Sequence, residues 1–409
     1  MSMRTTSVVL AVAIALSAAS AVHGQSVLTA APDPYHEILS AAFQADTEAR
    51  SHSRLTSGNR LELLEDGIVS FPRKFALVST ATAQIFVMTF QWDYDRTGLD
   101  FADALIARAR AGVEVRAVVD GTIADPRIVV RLRRGGVRVA RYNPWLLGIG
   151  GRSGHMHEKA ICVDFARAIL GGMNIADDYA LGNGTNRYYH DADLYVEGWA
   201  AGEVARRFLE LYSSLEPGDA GAAALLSQIG AYTQQPAAAA PGRDGFARVI
   251  VGEPDLGRHY ITDYYVRAID AARRQVVWHV NNPQPVDPIA RALRDAATRG
   301  VRVVIVTNSM RAYQLRFGLL AGFFEYVYNL TAYRRAIAAR GIEIFELDAP
   351  LHSKALTIDG VVASIGSYNL GLTSIARNTE QVVLTYDPAT VRAVEEMFDR
   401  DLARAKRVQ

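Results

Sequence analysis

The sequence predicts a duplicated α/β protein: two domains of alternating helices and strands joined by a short linker. Three observations carry this. Helix-period and strand-period segments recur in the same order in both halves. One chemical signature appears once in each half, 195 residues apart. Between the halves, residues 217–245 are rich in Ala, Gly and Pro, as a linker would be. The expected layout is a signal segment over 1–24, an extension over 25–58, a first domain over 59–216, that linker, and a second domain over 246–409.

The elements follow in order. The run from Val8 to Leu16 is apolar, follows Arg4 and precedes small residues, which suits a cleavable export signal and is too short for a comfortable membrane span. The expected location is therefore the periplasm or the exterior. A helical pattern over 74–82 leads into a β-branched and aromatic run over 84–88, and 264–273 leads likewise into 275–279. Amphipathic helices follow at 101–111 and 289–298, each stopped by a glycine, Gly112 or Gly300. Strands at 113–119 and 301–306 come next. A further helix ends near Gly136 or Gly341, and strands at 137–139 and 342–344 follow. This alternation predicts a largely parallel sheet in each half.

Composition narrows the classes. Half of the 409 residues are hydrophobic and 21% are charged, which fits a globular protein. Lysine and arginine (44) almost cancel aspartate and glutamate (43), so no global positive field favours a nucleic-acid partner. The single cysteine, Cys162, sits in an apolar stretch and reads as core; no intramolecular disulfide can form.

The repeated signature is His157-Glu158-Lys159 with Asp164 five residues beyond the lysine, and His352-Ser353-Lys354 with Asp359 at the same distance. Glycine turns ending in Asn174 and Asn369 follow. Extended backbone points residues i and i+2 to one face, so each histidine projects with its lysine. Two imidazoles can attack and protonate a phosphodiester, while two lysines and two asparagines hold its oxygens. The six signature residues His157, Lys159, Asp164, His352, Lys354 and Asp359 form the candidate catalytic set, with Asn174 and Asn369 as candidate phosphate-binding residues. Within that set, the odd spacing of Asp164 and Asp359 from the histidines suits them better to bracing a turn. A lysine beside each histidine repels a cation, so no catalytic metal or other cofactor is expected.

Two copies of H-x-K-x4-D, each followed by G-[GS]-x-N, resemble the phospholipase D superfamily over nearly all of residues 65–400. The segments His190 to Leu194, Val196 to Gly198, Tyr333 to Lys354 and Asn378 to Glu380 are similar to its bacterial cardiolipin synthase-like branch. The resemblance implies two α/β/α domains about a pseudo-two-fold axis, with the active site at their interface, so that a monomer can form it. It implies attack by one histidine to give a phosphohistidine, with water or an alcohol as acceptor and a phospholipid as substrate. It also implies that Asp191 and Glu380 orient the imidazoles, with Asp193 an alternative to Asp191. Peripheral membrane contact is expected at the glycine-rich loop carrying Trp145 and Leu146; a second candidate is the run 317–330 with Phe323, Phe324, Tyr326 and Tyr328. Core packing is the competing reading for both. Two other classes stand beside the lipid enzyme: an exported nuclease of the same superfamily and a non-catalytic lipid-binding module.

Overall fold

The structure is a computed structural model that describes residues 25–29, 32–143, 154–232, 245–284, 287–337 and 341–408. The signal segment and the loop bearing Trp145 and Leu146 lie outside the described residues.

Each half contains one sheet. In the first, seven strands run in the order Arg60–Glu65, Ala192–Glu197, Arg167–Gly171, Ala160–Val163, Gln84–Thr89, Glu114–Asp120, Arg138–Tyr142. In the second, the strands from Ala247–Gly252 to Ile342–Leu347 repeat that order, with short edge strands Leu55–Thr56 and Lys406–Arg407 added outside. The sheets are mixed rather than largely parallel: only the last two pairings of the seven-stranded sheet are parallel. The strand-helix alternation ends after Arg138–Tyr142. The chain then makes the hairpin Ala160–Gly171, whose short turn forces antiparallel pairing.

Apolar residues on both faces of the strands specify a layered stack. Outer helices Gly67–Ser79, Arg96–Arg110 and Pro126–Arg134 cover one side of the first sheet around Leu105, Phe101 and Ile128. Tyr260–Asp270 and Ile289–Thr298 cover the second sheet in the same way. The inner faces share one core that runs through both halves, from Phe86, Leu170 and Phe208 to Val277, Ile365 and Phe398. Helices Trp199–Leu215 and Pro388–Leu402 lie in this shared layer, and each packs on the first strand of the other half. The two halves are therefore one folding unit, held by a continuous apolar interior.

Two segments differ from their sequence reading. The extension 25–58 belongs to the second half: helix Ala41–Ser51 buries Phe43 against Tyr264, strand Leu55–Thr56 pairs with Ala247–Gly252, and His36 Nε2 lies 2.8 Å from Asp359 Oδ2. The stretch read as a linker contains a helix, Ala220–Tyr232, that buries Ala222 and Ile229. Its alanines and glycines let it pack closely on Trp199–Leu215, which overrides the linker-like composition.

Candidate active site

Both signatures sit on the extended approach to a strand rather than within it, because pairing begins at Ala160 and Leu356. Each approach is fixed by the opposite half. His157 N donates to Thr379 O (3.0 Å) and Thr379 N to His155 O (2.9 Å). By the pseudo-two-fold, His352 N donates to His190 O (2.8 Å) and His190 N to Pro350 O (2.8 Å). The residues after Thr379 and His190 are Glu380 and Asp191, so this crossing delivers each carboxylate to the other half's histidine. Glu380 Oε2 lies 3.0 Å from His157 Nδ1, and Asp191 Oδ2 lies 2.6 Å from His352 Nδ1. A carboxylate on Nδ1 fixes that nitrogen as a donor and leaves Nε2 as the reacting nitrogen, with a lone pair on the neutral ring and an N–H on the protonated one. Asp193 is not the alternative, since its carboxylate takes Ser70 Oγ (2.6 Å) and Lys74 Nζ (2.8 Å).

The turn before each carboxylate's strand fits its partner. A Cβ on Gly172 would stand 2.1 Å from Asp191 Oδ1, so only glycine fits. At the matching position Ser367 donates its hydroxyl to Glu380, and its carbonyl accepts from His157 Nδ1 at 3.1 Å. Ser374 Oγ donates to the other Glu380 oxygen at 2.6 Å.

Four cationic or basic groups share this buried space. His157, Lys159, His352 and Lys354 are 6, 4, 7 and 3% exposed, and among the described residues neither lysine has an ion-pair carboxylate. Lys354 Nζ lies 2.9 Å from His352 Nδ1 and 3.1 Å from Nε2, while Lys159 Nζ donates to His157 O at 2.5 Å. Burial pulls Lys159 down to about 7, with Glu380 opposing and Lys354 adding to the fall, and pulls Lys354 down to about 8 against Asp191 and Glu380. Burial also lowers His157, with Glu380 opposing and both lysines adding, and it lowers His352 well below its usual value, with both lysines and His157 adding. Burial alone would raise Glu380, but His157, Lys159 and Ser367 hold it below its usual range. Asp191 is raised by burial despite the lysines. Two desolvated lysines with no carboxylate at ion-pair distance among the described residues make a preformed anion site.

The asparagines differ. Asn174 Oδ1 accepts from Gln91 N (3.1 Å) and its Nδ2 donates to Tyr179 OH (2.7 Å), which leaves one N–H uncommitted. Asn369 Oδ1 is buried without a hydrogen-bond partner among the described residues.

Asp164 and Asp359 stand at the far ends of the strands from the histidines. Asp164 accepts from the amides of Thr82, Ala83 and Gln84; Asp359 accepts from those of Arg273, Arg274 and Gln275 and from His36. Both have left-handed backbone, φ 52°. They brace turns and are not groups of the reacting centre.

Several supporting residues escape a reading of the signatures alone. Tyr179 and Tyr189 lie 5.1 and 4.8 Å from the His352 ring, and Phe90 lies 4.9 Å from His157. Tyr179 follows Asn174 by five residues and Ser374 follows Asn369 by five, an offset that comparison of the repeats would have found. Behind His352 sits a buried clamp: His190 Nδ1 meets Asp66 Oδ1 (2.6 Å), its Nε2 meets Asp401 Oδ2 (2.8 Å), and His279 Nε2 lies 3.1 Å from the same oxygen. Burial opposes charge on His190, but Asp401 and Asp66 raise it well above its ordinary value, so it is an imidazolium joining the two halves.

The family profile described as "Cardiolipin synthase, PLD-like domain" matches twice, at residues 75–211 and 265–402. Cardiolipin synthase B of Escherichia coli (strain K12) is 28% identical over 341 residues, covering 81% of this chain and 77% of its own. The probable cardiolipin synthase YwiE of Bacillus subtilis (strain 168) is 23% identical over 365 residues, covering 88% and 69%. A cardiolipin synthase of Clostridium perfringens (strain 13 / Type A) is 26% identical over 377 residues, covering 90% and 74%. Among solved structures, phosphatidylserine synthase of Haemophilus influenzae Rd KW20 shares the fold with a TM-score of 0.66 at 14% identity, covering 89% of this chain and 91% of that one. Two profile matches aligned with two crossed histidine sites show that the chain belongs to the phospholipase D-like family, with the cardiolipin synthase, PLD-like domain present twice.

Proposed function

We propose that the protein is a phosphatidyl-transferring phosphodiesterase, which moves a phosphatidyl group from one phospholipid to an alcohol or to water through a phosphohistidine. The observation that carries this reading is the pair of buried lysines, neither with an ion-pair carboxylate among the described residues, beside two carboxylate-bound imidazoles. One imidazole attacks phosphorus through Nε2 while the other protonates the departing alkoxide. The protonating imidazole, now neutral, takes the proton from the incoming alcohol or water. That oxygen attacks phosphorus and the nitrogen–phosphorus bond breaks. Lys159, Lys354, Asn174 and Asn369 offset charge on the non-bridging oxygens throughout.

The names of the relatives and the internal duplication support a phospholipid substrate. Near-zero net charge disfavours the nuclease, since nucleic-acid affinity draws heavily on neutralised phosphates. The sequence of the first 24 residues supports work at the outer face of the inner membrane or beyond it. Among the described residues no helix is long and apolar enough to cross a membrane.

The test is incubation with mixed phospholipids, with and without glycerol or ethanol. Phosphatidyl-alcohol products, or phosphatidic acid when water is the acceptor, are expected. Rapid DNA cleavage with lipids untouched would favour the nuclease instead.

A pH profile tests the charge assignments. Activity falls in acid as the attacking imidazole protonates, with a midpoint below the ordinary 6.5 because burial lowers both histidines. In the free enzyme the acid imidazole loses its proton and the lysines discharge near 7 and 8, so kcat/KM on a soluble phosphodiester declines through and above that range. Bound phosphate favours the ammonium form, so the alkaline limb of kcat lies at higher pH. A kcat/KM that stays flat from pH 7 to about 10 would contradict the role of the lysines.

A further inference from the structure

The two halves differ most between their last two parallel strands. Residues 121–137 of the first half hold one short polar helix, Pro126–Arg134. Residues 309–341 of the second half, about twice as long, hold a helical hairpin, Met310–Phe317 and Leu319–Ile337. Gly318, at φ 84°, makes the turn alone. Gly322 lets the helices touch, because a Cβ there would stand 2.5 Å from Gln314 N.

The hairpin does not bury its apolar side. Of the eighteen large hydrophobic residues exposed among the described residues, eight fall within 315–328, so this is a patch and not scattered exposure. Phe317, Leu319, Leu320, Phe323, Phe324 and Tyr328 are 41–77% exposed. The hairpin's sequence carries four arginines, Arg311, Arg316, Arg334 and Arg335, against one acid, Glu325. An exposed apolar face on a hairpin whose sequence holds more arginine than acid, with neither helix long and apolar enough to cross a membrane, is suited to the headgroup layer of an anionic bilayer.

The patch is continuous with the active site. Arg316 pairs with Asp178 at 2.5 Å and lies 4.5 Å over the Tyr189 ring, which lies 4.8 Å from His352. We propose that this hairpin is the membrane-docking element, lying in the headgroup region of a phospholipid bilayer so that a lipid passes from its apolar face to the histidines beside Tyr189. This rests on the phospholipid reading for its purpose, but the docking itself is measured without turnover.

The experiment compares the full chain with the double variant L320S/F324S, both changes at exposed positions outside the catalytic machinery. Sedimentation with phosphatidylglycerol vesicles is expected to weaken about tenfold or more in the variant. Its kcat/KM on a short-chain phospholipid kept below micelle concentration should stay within about twofold of the parent, while turnover on vesicles falls with binding. Equal vesicle binding by both proteins would overturn the proposal. So would a dimer of the parent that the variant dissolves while vesicle binding stays unchanged, since the patch would then cover a second copy. Hairpin-dependent vesicle binding by a protein that cleaves no lipid would support the docking and defeat only the catalytic reading.

Discussion

Replacing either His157 or His352 with Ala is expected to lower turnover by about 10⁴-fold or more, and replacing both is expected to cost little beyond one. The two imidazoles act in one two-step path, so each loss breaks the whole of it. The crossed contacts make the same demand of both: each histidine's Nδ1 is bound by a carboxylate of the other half, at 3.0 Å for His157 and 2.6 Å for His352. The folded state should persist, because the approaches are held by backbone bonds to Thr379 and His190 that alanine keeps. A substrate with a p-nitrophenolate leaving group separates the roles, since that group departs without a proton. The variant lacking the acid should release one equivalent of p-nitrophenol and then turn over slowly; the variant lacking the nucleophile should release none. Strictly additive losses from the two single variants would mean that the histidines serve separate sites.

Asp401→Asn is expected to cost about 3–5 kcal/mol of stability, because it leaves the buried His190 imidazolium without one of its two carboxylates. Asp401 is fully buried, lies near His279 as well, and ion-pairs with Arg404. Its own pKa would be raised by burial, but His190 depresses it well below the usual range. The pH dependence has a definite sign. The His190 contribution is fully present below the unfolded histidine value and is lost as pH rises through its raised folded value. The Asp401 contribution is present above the unfolded carboxylate value and is lost as pH falls through its depressed one. Denaturant titrations should therefore show the full deficit of the variant around pH 5–7, shrinking in alkali as His190 discharges. A deficit below about 1 kcal/mol would mean that the clamp is not a principal tie between the halves.

The candidate histidines and lysines that the structure brings into one buried space were legible in the sequence because each pair is two residues apart and the pattern occurs twice. Strand and helix order was legible for the same reason, since periodicity is local. Sheet direction was not: the parallel expectation came from strand-helix alternation and missed the hairpin Ala160–Gly171. Which carboxylate serves which histidine depends on the pseudo-two-fold, and no spacing within one half reports it. The roles of Asp164 and Asp359 were visible only in part. Their spacing suggested bracing, but their partners, the amides of 82–84 and 273–275, lie eighty or more residues away. The extension at 25–58 gave no signal of its side, because Phe43 and His36 acquire meaning only against Tyr264 and Asp359. Composition misled at Ala220–Tyr232, where small residues serve close helix packing instead of flexibility. Phe323 and Phe324 were readable as apolar, but their exposure was not.

The central claim is that the two halves build one site that works through a covalent phosphohistidine. The stereochemical course at phosphorus tests it most directly, using a phosphorothioate phospholipid chiral at phosphorus and an alcohol acceptor. Two successive in-line displacements, each inverting, predict overall retention of configuration. Inversion would mean direct transfer from donor to acceptor, and would contradict the covalent role assigned to His157 and His352.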